Sequence, residues 1–405
     1  MSTLEERLAS GVKAGKVPHA VVAATNRDGS FTYNHAVGKH DYPNEKPMEE
    51  DAMFLLASMT KLLTSIAALQ LVEAGLIKLD DDVSKILPEV GEQKILKGFD
   101  GDSPILEDRK NPLTLRHVSG PLVMAAVLTN VDIFSHTLLD SVTIWPMLYQ
   151  KSIGKVPGDG STVEETRSHP LLFEPGTAWM YGCSTDWAGK LVERISGMTL
   201  EEFMRENMFR LVGVKEITFW PEQNPDLKGK VPQMTTRTSD GNLAPSAEPS
   251  INAGKTDCFG GHGAYGTIRD YLKIQHSILA NDGKLLKPET VEAMFSPQLS
   301  PESAKSLNWF MKNHPMSKFM VGEYNPDVEL DWGLAGILFL KDDIGKRKKG
   351  TLHWSGMANC FWVIDRDADL AYTFGTQVLP PGDEPTRQVI STYELGIYEE
   401  AGVKV

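Results

Sequence analysis

The sequence predicts an α/β (α+β) protein in which an antiparallel sheet is flanked by helices and a mainly helical region packs alongside it. Three observations lead to this fold class. Strand patterns occur near both ends of the chain, helical patterns flank them, and the middle carries mostly helical patterns broken by glycine and proline. A chain of 405 residues with 41% hydrophobic content can bury a large core, so one large or two intergrown domains are expected.

The sheet is expected to draw its strands from both ends of the chain, residues 1–56 and 262–405. After a predicted helix at 3–15, two strands flank the turn Asn26-Arg27-Asp28-Gly29, which is typical of a hairpin. Further strands are predicted near the C-terminus, at 336–340, 350–354, 359–364 and 370–377. Helices that flank these strands are predicted at 268–281, 288–295 and 385–398.

The middle of the chain, residues 57–261, is predicted to be mainly helical and to carry one buried central helix. Residues 58–74 are apolar on nearly all sides and stop before Gly75, a residue type that commonly ends helices. Helical patterns also occur at 186–196 and 200–211. We expect the active site at the interface between this helical region and the sheet.

Charge, hydrophobicity and cysteine use exclude several classes of protein. A formal net charge of -13 repels nucleic acid and anionic lipid surfaces. No apolar stretch approaches the roughly 20 residues that cross a bilayer, and the N-terminus lacks the apolar run of a secretory signal. Cys183, Cys258 and Cys360 are widely spaced, which argues against a disulfide framework or a zinc site. We expect a cytoplasmic protein with no nucleic-acid or membrane partner and no metal.

Ser58-Met59-Thr60-Lys61 is the first candidate catalytic motif, because it lies in the first turn of the predicted central helix. Residues three apart share a helix face, so the Ser58 hydroxyl is expected within reach of the Lys61 amine. The motif alone is weak evidence, since the same spacing occurs twice elsewhere in the chain, at 10–13 and 152–155. A structural alternative is that Ser58 caps the helix while Lys61 extends into solvent.

Two further motifs follow along the chain. A Pro-Gly turn at 175–176 leads to Tyr181 just before a predicted helix, where a tyrosine can face a cleft. Downstream, a predicted strand ends in His353-Trp354-Ser355-Gly356, and the backbone N–H after this glycine can point at a developing oxyanion. Three motifs in this order are far less expected by chance than Ser-x-x-Lys alone.

Together these motifs resemble the serine β-lactamase-like family, through Ser-x-x-Lys, a tyrosine motif and a triplet comparable to Lys-Thr-Gly. Within that family the chain resembles the class C penicillin-binding-like and carboxylesterase branches, and above all the fungal polyketide acyltransferases (transesterases) of the lovastatin (monacolin J acid) type. The stretches that carry this closer resemblance are 57–64, 186–194 and 258–261. The resemblance extends along almost the whole chain and implies a β-lactamase-like (DD-peptidase) fold.

The resemblance also implies a role for each motif residue. Ser58 would be the nucleophile, and Lys61 and Tyr181 would share the general-base and general-acid work. The N–H groups of Ser58 and Met357 would form the oxyanion hole. Substrate contacts are implied for six residues of the second and third motifs, namely His353, Trp354, Ser355, Gly356, Cys183 and Ser184.

Two departures from the family's pattern bear on the substrate. Trp354 stands where β-lactamases carry the lysine of Lys-Thr-Gly, so the cation that would hold a β-lactam carboxylate is missing. Cys183 and Ser184 stand where relatives commonly carry an asparagine that contacts the substrate amide or orients the lysine. Both changes shift the expected substrate from lactams and amides toward esters.

By resemblance, the chain is expected to be an acyltransferase for a hydroxyl of a polyketide-type secondary metabolite, acting through an acyl-Ser58 intermediate. The donor would be a thioester, including an acyl chain on the carrier protein of a polyketide synthase. A carboxylesterase that uses the same residues with water as acceptor is one alternative, and a non-catalytic binding protein of this fold is another. No cofactor is implied, since the acyl donor carries its own activation.

An extra segment at 118–134 interrupts the family's pattern. Relatives continue Leu-Arg-His directly into a Leu-Leu-(Ser/Thr)-His-Thr stretch, whereas here the segment separates 115–117 from 135–137. Codons for 118–119 and 134–135 can form splice donor and acceptor sites, so a retained intron is our hypothesis. In the family this part of the chain borders the substrate cleft, so an inserted apolar loop would block or remodel it.

Overall fold

The structure is a computed structural model that describes residues 2–42, 46–119, 141–314 and 316–404. Its helices, in chain order, are α1 (Leu4–Lys13), α2 (Thr60–Glu73), α3 (Pro88–Gly91), α4 (Leu115–Ser119), α5 (Ser141–Ser152), α6 (Val163–Arg167), α7 (Ser184–Ser196), α8 (Leu200–Met204), α9 (Arg210–Val212), α10 (Ile268–Ala280), α11 (Pro288–Met294), α12 (Pro301–Asn313), α13 (Ser317–Val321) and α14 (Glu384–Glu400). Its strands are β1 (His19–Thr25), β2 (Thr32–Gly38), β3 (Met53–Leu55), β4 (Ile95–Asp100), β5 (Ser103–Glu107), β6 (Ile217–Thr218), β7 (Thr235–Arg237), β8 (Leu243–Pro245), β9 (Tyr265–Thr267), β10 (Leu330–Trp332), β11 (Ile337–Phe339), β12 (Leu352–Gly356), β13 (Cys360–Asp365), β14 (Leu370–Gly375) and β15 (Val378–Leu379).

A seven-stranded antiparallel sheet joins the two ends of the chain. Its strand order is β10-β11-β12-β13-β14-β1-β2, and β1 pairs with β14 through Val22 opposite Phe374. All residues of β1 are buried, because this strand has a neighbour on each side and packing on both faces. β1 and β2 form the hairpin that the turn at 26–29 predicts, so that prediction is confirmed.

The two faces of the sheet pack into separate cores, because side chains alternate along each strand. In β13, Phe361 and Val363 point to the core that α1 and α14 cover. Trp362 and Ile364 point to the opposite core, which contains α2 and the helices from the middle of the chain. The interface between sheet and helical region therefore lies on the α2 face.

A buried ion pair fastens α14 to the sheet on the other face. Arg347 Nε donates to Glu394 Oε1 at 2.6 Å, and the Tyr372 hydroxyl donates to the same oxygen at 2.7 Å. Burial alone would raise the pKa of Glu394, but Arg347 and Lys346 hold it below its usual value, so the carboxylate stays ionised. Removing one partner of such a pair leaves a buried charge uncompensated, which is strongly destabilising.

The predicted central helix is α2, which is buried on nearly all sides. Eleven of its 14 residues are buried, because its surface is apolar around most of its circumference. A single 3₁₀ turn, Ala57–Met59, precedes it. Gly75 (φ 71°) follows it in a left-handed conformation that glycine adopts without steric cost. The helix predicted at 58–74 is confirmed, with Ser58 in the preceding turn.

The middle of the chain is less purely helical than the sequence predicts. The helices predicted at 186–196 and 200–211 are confirmed, the second with a π-helical stretch between α8 and α9. Strands β4 to β8 also occur in this region, and the sequence patterns miss them, as they miss α12, α13 and β10. The α/β (α+β) class with an antiparallel sheet is confirmed, whereas the division of the chain at 57 and 261 stays a prediction.

Other sequence predictions concern the extra segment, the membrane and the cysteines. The segment 118–134 lies outside the described residues apart from 118–119, which end α4. No helix in the described part of the chain combines the length and the apolar character that a bilayer span requires. The three cysteines are buried thiols, and a cytoplasmic location stays a prediction.

Candidate active site

The turn before α2 presents Ser58 at the start of the helix. Ala57 adopts a left-handed conformation (φ 46°), which costs a residue with a Cβ about 1–3 kcal/mol and persists only where surrounding contacts impose it. The Tyr271 hydroxyl donates to the carbonyl of the residue after Ser58 at 2.9 Å. The N–H of Leu56 donates to the carbonyl of Ala264 at 3.0 Å. These contacts hold the turn on both sides of Ser58.

Ser58, Lys61 and Tyr181 converge at this turn. Ser58 Oγ lies 2.5 Å from the Tyr181 hydroxyl, and either group can donate in that hydrogen bond. The Lys61 amine donates to Ser58 Oγ at 3.4 Å and to the carbonyl of Gly261 at 2.8 Å, and it lies 5.0 Å from the centroid of the Tyr181 ring. Lys61 is only 7% exposed, so the alternative in which this amine extends into solvent is wrong.

This arrangement can accept a proton from Ser58 while its oxygen attacks a carbonyl carbon. The Tyr181 oxygen and the Lys61 nitrogen both lie within hydrogen-bond range of Ser58 Oγ, which is the geometry required of a nucleophile and its base. Burial of the amine makes its electrostatic interactions stronger than they would be in water. The three side chains can therefore support formation of a covalent ester on Ser58.

Strand β12 ends directly against the nucleophile turn. A Cβ at Gly356 would overlap the carbonyl oxygen of Leu56, so a glycine is needed for this close approach. The next residue, Met357, packs in a small apolar cluster that also contains Ala57. Ser58 and Met357, whose N–H groups are expected to form the oxyanion hole, thus lie at one junction. Their role in binding an oxyanion stays a prediction.

The same strand divides its residues between the two faces of the sheet. Trp354 faces the site, with its ring centroid 5.3 Å from that of Tyr181, and Gly356 shares this face because side chains alternate along a strand. His353 and Ser355 point to the opposite face, where both donate hydrogen bonds to backbone carbonyls. Burial lowers the pKa of His353 to about 3, so its imidazole is neutral. This placement does not support substrate contacts by His353 and Ser355.

Cys183 and Ser184 follow Tyr181 at the start of α7, and both are buried. Cys183 Sγ lies 3.7 Å from His169 Nε2. Burial raises the pKa of the Cys183 thiol to about 12, so the thiol stays protonated and is not a second nucleophile. Substrate contacts by Cys183 and Ser184 stay a prediction.

Tryptophan side chains form an apolar wall next to Tyr181. The ring centroid of Trp354 lies 4.7 Å from that of Trp332, which in turn lies 6.1 Å from Trp179. Phe310 of α12 packs edge-on against Trp179 at 5.3 Å. The wall, formed by Trp354, Trp332, Trp179 and Phe310, is core packing behind Tyr181, since its three tryptophans are at most 3% exposed. Substrate contact by Trp354 stays a prediction.

Three serines at the start of α12, which no sequence motif indicates, hold the segment that leads to Tyr181. The hydroxyls of Ser300, Ser303 and Ser306 donate to backbone carbonyls at 176–179 over 2.7 to 3.2 Å. Their spacing of three residues places them on one face of the helix. That spacing, which begins at a Ser-Pro pair typical of a helix start, is the signal that could have revealed them.

A Ser303→Ala/Ser306→Ala double variant is expected to lower kcat about tenfold with little change in KM, because Tyr181 loses a fixed support. Carbonyls left without a donor should also lower the free energy of unfolding by about 1–3 kcal/mol each. Steady-state ester hydrolysis and thermal unfolding measure the two effects. Ser296→Ala is the matched control, since the exposed Ser296 hydroxyl donates to the end of α11. Lower stability with an unchanged kcat would show that Ser303 and Ser306 do not position Tyr181.

The sequence profile of the Beta-lactamase family matches residues 4–391. The chain belongs to the β-lactamase family. It is 36% identical over 398 residues to the lovastatin esterase of Penicillium rubens, a match that covers 96% of each chain. It is 34% identical over 406 residues to the monacolin J acid methylbutanoyltransferase of Aspergillus terreus, covering 98% of this chain and 95% of that relative.

A solved structure has the same fold as this chain. The unliganded simvastatin synthase (LovD) of Aspergillus terreus matches with a TM-score of 0.81 at 32% identity, over 98% of this chain and 97% of that chain. The β-lactamase-like fold and the resemblance to lovastatin-type acyltransferases are therefore confirmed. The relatives are acyltransferases and esterases of this family, and the predicted enzyme class is confirmed at that level.

Proposed function

We propose that this chain is an active-site serine acyltransferase that moves an acyl group from a thioester to a hydroxyl of a polyketide-type small molecule. The observation that carries the proposal is the position of Ser58 Oγ, 2.5 Å from the Tyr181 hydroxyl and 3.4 Å from the Lys61 amine. The relative named as a monacolin J acid methylbutanoyltransferase, which this chain matches over nearly its whole length, supports an alcohol as acceptor.

In the first half-reaction, Ser58 Oγ attacks the carbonyl carbon of the thioester and forms a C–O bond. The Tyr181 oxygen takes the proton that leaves the hydroxyl, while the phenol proton of Tyr181 passes to the Lys61 amine beside it. When the tetrahedral intermediate collapses, the C–S bond breaks and the sulfur leaves with a proton returned from the same pair. The acyl group remains on Ser58 as an ester.

In the second half-reaction, the hydroxyl of the acceptor takes the place of the departed thiol. It gives its proton to the Tyr181 and Lys61 pair, attacks the acyl carbon, and displaces Ser58 Oγ, which recovers a proton from that pair. In both halves the N–H groups of Ser58 and Met357 would donate to the oxyanion of the intermediate. The Tyr181 and Lys61 side chains and the two N–H groups thus serve both half-reactions.

The residue at position 354 supports the choice of substrate. Trp354 stands where β-lactamases carry a lysine, and its indole lies against Tyr181, so no cation at this position would hold a substrate carboxylate. We propose a thioester donor that is either a small thioester or an acyl chain on a carrier protein, and a cytoplasmic reaction. The buried cysteine thiols agree with a reducing compartment.

The transferase proposal is tested by incubating the protein with a short-chain acyl thioester and a panel of polyketide alcohols. Product ester and free acid are both quantified over a range of alcohol concentrations. We expect ester to exceed acid for at least one alcohol, and a Ser58→Ala control to form neither above background. Free acid as the sole product at every alcohol concentration would contradict the transferase.

The relative named as a lovastatin esterase favours a second candidate, hydrolysis of an ester by the same residues. Water would then replace the alcohol in the second half-reaction, and the assay above would yield free acid from both thioester and ester substrates. The remaining alternative, a non-catalytic binding protein, is opposed by the intact contacts among Ser58, Lys61 and Tyr181. A covalent fluorophosphonate adduct on Ser58 would exclude it.

A further inference from the structure

A turn formed by Gly260 and Gly261 runs between α2 and α7 and contacts Lys61. From the α2 side, the Lys61 amine donates to the carbonyl of Gly261 at 2.8 Å, and the Thr64 hydroxyl donates to the carbonyl of Gly260 at 2.8 Å. A Cβ at Gly260 would lie 2.7 Å from the carbonyl oxygen of Thr185 on α7. The turn is therefore confined between the two helices, and its position determines where the Lys61 amine is held.

The α7 side of this glycine turn is held by Asp186. The N–H of Gly261 donates to Asp186 Oδ1 at 2.7 Å, and Arg167 Nε donates to Asp186 Oδ2 at 2.9 Å. Arg167 also donates to His262 Nε2 at 3.0 Å, and His262 Nδ1–H in turn donates to Asn252 at 3.1 Å. Asp186 is 1% exposed. Its carboxylate thus connects the turn to a buried hydrogen-bond network.

The charge of this network is set by Asp186 and Arg167. Burial alone would raise the pKa of Asp186, but Arg167, His262, Lys61 and the Gly261 N–H together hold it below its usual value, so the carboxylate is ionised. Its place in the first turn of α7 also favours a negative charge. Burial lowers the pKa of His262 to about 3, so this imidazole is neutral.

The distances at Lys61 show which contact fixes its amine. The amine lies 2.8 Å from the Gly261 oxygen but 3.4 Å from Ser58 Oγ, so the contact with the glycine turn is the tighter one. A shift of the turn would move the amine relative to both Ser58 and Tyr181. A displacement of about 1 Å is enough to cost on the order of 10²-fold in rate.

We infer that Asp186 is a positioning residue for Lys61, acting through the N–H of Gly261. It holds the glycine turn so that the Gly261 carbonyl keeps the Lys61 amine between Ser58 and Tyr181, and its negative charge stabilises the positive charge that the Tyr181 and Lys61 pair gains when Ser58 loses its proton. This inference rests on the proposed function. It extends the proposed catalytic set to a carboxylate that does not touch the substrate.

An Asp186→Asn variant tests the inference, because it keeps an oxygen for the Gly261 N–H and removes the charge. We expect kcat for hydrolysis of a p-nitrophenyl ester to fall about 10- to 100-fold with a smaller change in KM. The groups that act on Lys61 from the elements around it are Tyr181, Cys183, Asp186 and His262. Arg167 lies behind them and donates to Asp186 and His262. Since the variant loses the anion and leaves Arg167 unbalanced, the acid limb of the pH–rate profile should move to lower pH.

The matched control is Glu394→Gln, which breaks a different buried arginine–carboxylate pair, on the far face of the sheet. Its thermal stability should fall, whereas the pH–rate profile of its folded fraction should equal that of the unchanged chain. If Asp186→Asn does not accumulate as folded protein, Asp186→Glu keeps the charge and displaces the carboxylate oxygens. That variant should lower kcat while its acid limb stays in place.

A wild-type kcat and an unmoved acid limb in Asp186→Asn, or a wild-type kcat in Asp186→Glu, would overturn the inference. A loss of activity in proportion to the loss of folded protein alone would also overturn it, because that is the result for a purely structural residue. The rates are normalised to the amount of Ser58 that a fluorophosphonate labels. Failure of the unchanged chain to be labelled on Ser58 would contradict the proposed function instead, so the two failures are distinguishable.

Discussion

A Ser58→Ala variant is expected to lose acyl transfer, with kcat reduced by roughly 10⁶-fold, because no atom remains that can carry the acyl group. The variant should also form no adduct with a fluorophosphonate or an activated ester. Intact-protein mass spectrometry measures the adduct, and peptide mapping locates it in the unchanged chain. The fold should be retained, since Tyr271 and Leu56 hold the turn through contacts that do not involve the hydroxyl of Ser58.

Ser65→Ala is the matched control for this variant. Ser65 lies in α2, the helix that follows Ser58, is fully buried, and its hydroxyl has no hydrogen-bond partner among the residues that the structure describes. Its loss should therefore leave both labelling and turnover close to those of the unchanged chain. An adduct that persists in Ser58→Ala, at another serine or at a cysteine, would show that the nucleophile has been assigned to the wrong residue.

Tyr181→Phe and Lys61→Met are each expected to lower kcat by about 10²- to 10⁴-fold, because each removes one of the two groups that receive the proton of Ser58. The Tyr181→Phe/Lys61→Met double variant should be scarcely worse than the poorer single variant, since groups that act as a unit are not additive. Single-turnover acylation by an activated ester measures all four proteins. The pH dependence of that rate should be lost along with the rate.

Tyr393→Phe is the control for the tyrosine, because Tyr393 is fully buried and its hydroxyl donates to a backbone carbonyl on the opposite face of the sheet. It should reduce stability without altering the acylation rate. Losses that multiply in the double variant would contradict the shared role of Lys61 and Tyr181. They would indicate that one of the two acts on a different step, such as binding of the acyl donor.

The chemistry at Ser58 is predictable from sequence because its first requirement is local. Ser58 and Lys61 are three residues apart at the start of an apolar stretch, so one helical turn brings them together. Tyr181 is indicated by the Pro-Gly turn before it, and its position beside Ser58 follows from the family resemblance rather than from the local pattern. The antiparallel sheet is predictable for a similar reason, since β1, β13 and β14 are continuous strand patterns of six or seven residues.

Contacts between distant segments are the part that the sequence does not predict. Asp186 and Gly261 are 75 residues apart, and no periodic pattern connects them. A sequence motif also lists neighbouring residues of β12 together. In the sheet, however, side chains alternate between the two faces, so Trp354 faces the active site and His353 faces away from it. Strands as short as β6, which has two residues, give too little periodicity to be recognised.

The pairing of β1 with β14 has a consequence for how this protein is made. A ribosome that adds about 5–20 residues per second needs roughly 17–70 s to advance from Thr25, the end of β1, to Gly375, the end of β14. During that interval β1, whose residues are buried on both faces in the finished sheet, has β2 on one side and an open edge on the other. An open apolar edge is a template for association with other chains. Recovery of native protein should therefore depend on chaperone supply and on growth temperature. A chain truncated before β14 would keep the edge of β1 unpaired and would remain prone to aggregation.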